Sequence, residues 1–292
     1  MRKTLFSLLL LVICCALLNV VSSGLLLLGT AFFSPEVSLS DLISDPTGFS
    51  PGKLSLGLVH LMTFVGGTLL WYRLRTYRWQ DFTTFFKLDK EPAPRLTLTS
   101  VSIILLLLPI MGLIVHGMSA LDLPDFVDDW DQDQTELLQG ILRMDGLGDL
   151  LLLVVVVALL PAIGEELVFR GVLQQKLIRV IGVTGGIVLS SIIFSAIHLQ
   201  IMGFLPKLLI GLALGFVFHR TQHLYFPMLM HFVNNALPLL GLYMAGGQLP
   251  DDQAVADTAW TQLLPSALIS IALLIFVIRY LIRITPVDEP QP

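Results

Sequence analysis

The chain has 292 residues, of which 55% are hydrophobic and 13% charged, with a formal net charge of −5. Soluble domains carry about a quarter charged residues, and the mean hydropathy of +0.82 excludes that class in favour of a membrane protein. No basic arm points to a nucleic-acid partner.

About 20 apolar residues span a bilayer. Eight segments approach that length: 5–32, 55–72, 97–117, 147–169, 184–199, 205–219, 225–243 and 262–282. The expected fold is therefore all-α, a polytopic membrane helical bundle of about eight transmembrane helices. The first segment begins like a signal peptide but is too long for one, and is read as a retained helix. Its adjacent Cys14 and Cys15 point about 100° apart on a helix and are not expected to pair with each other.

The loop 73–96 is basic and aromatic, and Trp79, Phe82, Phe85 and Phe86 suit a segment lying at headgroup level. The loop 122–136 is acidic, read as a solvated surface with a lid or substrate-binding role as the alternative. "QQKLIRV", from Gln174, is placed at the inner interface. With the N-terminus inside, fourteen Lys and Arg residues fall on the inner side and three (Lys53, Arg143, Lys207) on the outer. The positive-inside rule thus puts both termini in the cytoplasm. The tail "TPVDEPQP" is expected to be disordered.

Between residues 150 and 250 the acids are Glu165 and Glu166, in "EELVFR". An intramembrane charge costs about 2.5–3.5 kcal/mol even on a lenient scale. Glu166 and Arg170 are four residues apart and share a helix face, so they can neutralise each other. Glu165 is rotated about 100° away and stays available. "FSAIH" spaces Phe194 and His198 by four, and "HFVNN" does the same for His231 and Asn235. His60, His116, His219 and His223 are read as packing or interface residues. The set Glu165, His198, His231 and Asn235 suits hydrolysis, with a buried glutamate as general base and His and Asn donors facing an oxyanion. Glu165, His198 and His231 are equally a possible zinc ligand set, although no HExxH helix is present.

Helix lengths put these residues at unequal depths. Glu165 comes near the inner surface, His231 about 6 Å beyond Pro227, and His198 about 18 Å beyond Gly186. A shared site then requires that the 184–219 hairpin fall short of a full span, or that the fourth helix carry its glutamates deeper.

"EELVFR", "FSAIH" and "HFVNN" resemble, in order, the EExxxR, FxxxH and HxxxN motifs of the CPBP family (CAAX proteases and bacteriocin-processing enzymes, also called Abi). The resemblance covers roughly 148–243. It divides the chain into N-terminal transmembrane helices and loops (1–147), a catalytic core (148–243), and a C-terminal helix and tail (244–292). It implies an intramembrane endopeptidase with a cavity in its bundle. Glu165 and His198 would activate water, His231 and Asn235 would stabilise the oxyanion, and Glu166 and Arg170 would support the site. The family is labelled metalloprotease and is also given a metal-independent, glutamate-based mechanism, so the cofactor is expected to be either none or a divalent metal such as zinc. Expected partners are the lipid bilayer and a peptide or membrane-protein substrate, in a bacterial inner membrane. Competing readings are a non-catalytic membrane scaffold and an ion-coupled transporter.

Overall fold

A computed structural model describes residues 2–33, 51–75, 78–121, 124, 126, 127, 130, 138–247 and 260–285. Most of the acidic loop 122–136 and all but the first residue of the tail 285–292 lie outside the described residues. The described residues are helical, without strands. The long helices are α1 (Arg2–Phe33), α2 (51–74), α3 (Pro94–Ser119), α4 (147–181), α5 (183–196), α6 (Phe204–Thr221), α7 (Tyr225–Met244) and α8 (Trp260–Ile284).

Among the described residues six stretches are long and apolar enough to cross a membrane, so the protein is a multi-pass integral membrane protein. The expected segments 147–169 and 184–199 fall largely within one such stretch, Leu147–Ala196, which holds the two helices α4 and α5. Tyr225–Met244, which carries His231, Asn234 and Asn235, is a helix but is not among the six.

One correction concerns α4, which does not end near residue 169. It continues to 181 and reverses at Gly182, whose φ of 76° and ψ of 174° suit a residue without a Cβ. "QQKLIRV" therefore continues the helix. At 1.5 Å per residue α4 is about 50 Å long, and Glu165 falls near its middle. α5 runs back along α4: the Phe194 ring meets that of Phe169 at 5.2 Å, and a Cβ on Gly186 would sit 2.7 Å from the Ile178 nitrogen. That pairing brings the turn carrying His198 level with the glutamates, which resolves the depth mismatch through the length of α4.

Three stretches widen from α-helical to π-helical turns: Leu61–Gly66 in α2, and Val154–Leu159 and Phe169–Gln174 in α4. Such turns recur at functional sites. Pro161 accounts for part of the second, because it has no N–H to offer the carbonyl four residues back, that of Val157. Asn235 Nδ2 donates to that carbonyl at 3.2 Å.

Apolar packing forms three clusters. One joins α1, α2, the 82–88 segment, α4 and α5; the second joins α3, α6, α7 and α8; the third joins the start of α4 to the end of α7. Phe86 is fully buried in the first, against Gly171. It is therefore a core residue, whereas Trp79 is exposed.

Candidate active site

Glu165, Glu166 and Arg170 come from α4, His231 and Asn235 from α7, and His198 from the turn after α5. Arg170 and Glu166 are fully buried, and Arg170 Nη1 donates to Glu166 Oε1 at 2.8 Å. Arg170 Nη2 donates to the Gly211 carbonyl of α6 at 2.9 Å. One turn further on, Gln174 Nε2 donates to the Gly215 carbonyl at 2.9 Å. These two bonds, spaced by four residues on both helices, fix the register of α4 against α6. A Cβ on Gly215 would lie 2.7 Å from Gln174 Oε1, so that glycine makes room for the glutamine.

Glu166 Oε1 also accepts from His231 Nδ1 at 2.9 Å. One carboxylate oxygen thus serves a guanidinium and an imidazole. Because Nδ1 carries the hydrogen, Nε2 is the free end of His231, and it faces Glu165 Oε2 at 3.9 Å. Glu165 is buried, and its Oε2 has no hydrogen-bond partner among the described residues.

His198 lies just past the end of α5. Its Nδ1 sits 2.7 Å from the Phe194 carbonyl, so Nδ1 holds the hydrogen and Nε2 keeps a lone pair. Burial pushes its imidazole down to about 4, against the raising effect of that bond, with a smaller lowering by Lys207. At neutral pH the ring is uncharged. Among the described residues no hydrogen bond or ion pair joins His198 to Glu165. The Phe194 ring links the two histidines instead, 5.0 Å from His198 and 5.7 Å from His231, with Arg170 stacked 4.8 Å over its centre. A mostly apolar cavity of about 590 Å³ is lined by residues flanking His198 in sequence, Ser195, Ala196 and Leu199, and by Phe126, Trp130 and Phe204, among others, but not by His198, Glu165, His231 or Asn235.

His60, read from the sequence as a packing residue, belongs to this cluster. Its Nε2 stands 3.7 Å from Glu165 Oε1. No motif signals it, since it lies in another helix more than one hundred residues away.

The metal set Glu165, His198 and His231 does not fit an ion as placed. Among the described residues no group of three or more His, Cys, Asp or Glu side chains is placed to hold a metal ion. No reaction step is derived through a metal.

The fold and these residues define a multi-pass membrane protein with a buried Glu/His/Arg centre. Residues 147–237 match the family model described as Rce1-like, type II CAAX prenyl endopeptidase. Over 88 residues the chain is 32% identical to "Uncharacterized protein YpbD" of Bacillus subtilis (strain 168). That alignment covers 29% of this chain and 42% of the relative, so the chain spans under half of the curated protein it matches. No solved structure matches.

Proposed function

We propose that the protein is an intramembrane endopeptidase hydrolysing a peptide bond of a membrane-associated or lipid-linked substrate, in a bacterial inner membrane with both termini cytoplasmic. The observation that carries this reading is the unequal treatment of two adjacent glutamates. Glu166 Oε1 is held at hydrogen-bond length by both Arg170 and His231, whereas the charged partners of Glu165 stand further off, His60 at 3.7 Å and His231 at 3.9 Å. A carboxylate so placed is a general base rather than a structural counter-ion.

In the proposed reaction Glu165 takes a proton from water while the His198 Nε2 lone pair orients that water. The water oxygen bonds to the peptide carbon, and the carbonyl electron pair moves to its oxygen. His231, held by Glu166, and the second N–H of Asn235 face that oxyanion. The C–N bond then breaks and the amine nitrogen leaves with the proton. The apolar cavity at the turn after α5 supports a substrate with an apolar portion.

The test compares a strain lacking the gene with the same strain carrying wild type or Glu165→Gln. Membrane peptides present only with wild type, and cleavage of a quenched-fluorescence peptide library by purified wild type alone, are expected. Identical peptides in both strains, with no cleavage by the purified protein, would support the scaffold reading instead.

A further inference from the structure

α2 lies outside the family domain, yet it delivers a histidine to the site. Glu165 sits between two imidazoles, one for each oxygen: His60 Nε2 at 3.7 Å from Oε1 and His231 Nε2 at 3.9 Å from Oε2. His60 Nε2 is buried and has no hydrogen-bond partner among the described residues.

The approach is built into both helices. A Cβ on Gly164, next to Glu165, would lie 2.8 Å from the Phe64 Cβ, and one on Gly57, a turn before His60, would lie 2.9 Å from Val156 Cγ2. The absence of both methyl groups lets α2 and α4 close on either side of the His60–Glu165 pair. The His60 ring is stacked on Phe64 at 4.5 Å, and the helix widens into its π turn immediately after His60. The unpaired nitrogen faces a carboxylate oxygen at 3.7 Å, and an unsatisfied buried polar group costs about 1–3 kcal/mol, which a bond between the two would recover.

We infer that His60 is a proton relay for Glu165, an active-site member supplied from outside the family domain; this rests on Glu165 acting as the base. As water adds to the peptide carbon, its proton passes to Glu165. His60 Nε2 takes that proton from Oε1 and holds it as an imidazolium beside the regenerated carboxylate. When the C–N bond breaks, its electron pair stays on nitrogen and the proton returns to that nitrogen. The 3.7 Å separation closes to hydrogen-bond length in the substrate complex, as such contacts commonly do.

The test uses the full chain in proteoliposomes and the fastest-cleaved member of the peptide library. His60→Gln keeps a polar side chain of similar reach but cannot relay. It is expected to lower kcat about 100-fold with KM little changed, and to remove one limb of the pH–rate profile, while melting as wild type does. His60→Ala is expected to recover activity on addition of imidazole. If Glu165→Gln is inactive while both His60 variants turn over at the wild-type kcat with an unchanged pH profile, the relay alone is overturned. If wild type cleaves nothing, or Glu165→Gln cleaves as well as wild type, the endopeptidase reading fails and the relay with it.

Discussion

Asn235 supplies the hydrogen bond that Pro161 withholds. The proline offers no N–H to the Val157 carbonyl, and the Asn235 side chain reaches across from α7 to donate to it at 3.2 Å. A bond of this kind ties a helix defect to a neighbouring helix, and removing one partner strands the other. Asn235→Ala is therefore expected to destabilise the protein by about 1–2 kcal/mol. In a Pro161→Ala background the backbone can serve Val157 itself, so the same change should cost less. A double-mutant cycle on unfolding in mixed micelles reads the coupling, and additive losses would deny it.

The two glutamates should respond differently to the same substitution. Glu165→Gln removes a charge that meets its nearest imidazoles only at 3.7 and 3.9 Å, so stability is expected to hold while kcat falls about 100- to 10,000-fold. Glu166→Gln strips the partner from a fully buried Arg170, so the folded fraction itself should drop. Thermal melting alongside peptide turnover separates the two outcomes.

Arg170→Met leaves Glu166 buried with only His231, and the loss expected for breaking such a pair is about 3–5 kcal/mol. Arg170→Lys should rescue little, because one ammonium does not reproduce a guanidinium bridging Glu166 Oε1 and the Gly211 carbonyl. The double variant Glu166→Gln/Arg170→Met should lose less than the two single losses added together. Equilibrium unfolding gives the comparison.

Acid should weaken the fold partly through His198. Its folded value, about 4, lies below the ordinary 6.5, so between these values the unfolded chain binds a proton that the folded protein does not. Stability therefore falls as pH drops through that window. His198→Gln removes this contribution, and its melting temperature should decline less than that of wild type between neutral pH and pH 4. Equal declines would contradict it.

Gly164→Ala places a methyl group against Phe64 and is expected to cost about 1–3 kcal/mol. Gly112→Ala, where nothing lies within 4 Å of the added atom, should be neutral or mildly stabilising. Both lie within long helices, so helix propensity alone would favour alanine at each. Similar melting shifts for the two would rule out the close α2–α4 approach.

Much of the site was legible because its signals are local. The Glu166–Arg170 pair is a four-residue spacing, and "FSAIH" and "HFVNN" are single turns of helix. The apolar runs likewise announced their helices. The reversal at Gly182 was hidden because glycine also occurs within membrane helices, and apolar residues run on both sides of it. His60 was hidden more deeply. Its role depends on which helix lies beside α4, and helix periodicity carries no information about neighbours. Pro161 is visible as a letter, but the Val157 carbonyl it frees becomes meaningful only when Asn235 stands opposite.

The glycine seam between α2 and α4 also bears on biogenesis. Residues 51–74 leave the ribosome well before residues 147–181, so α2 is in the bilayer when α4 arrives. Helices inserted separately associate afterwards by close packing of small residues, and here that packing carries a histidine toward a glutamate that bilayer lipid cannot solvate. The earlier helix thus offers the later one a polar contact at the depth where it needs it. The matched domain, expressed without the first 146 residues, would enter the membrane lacking that reception surface.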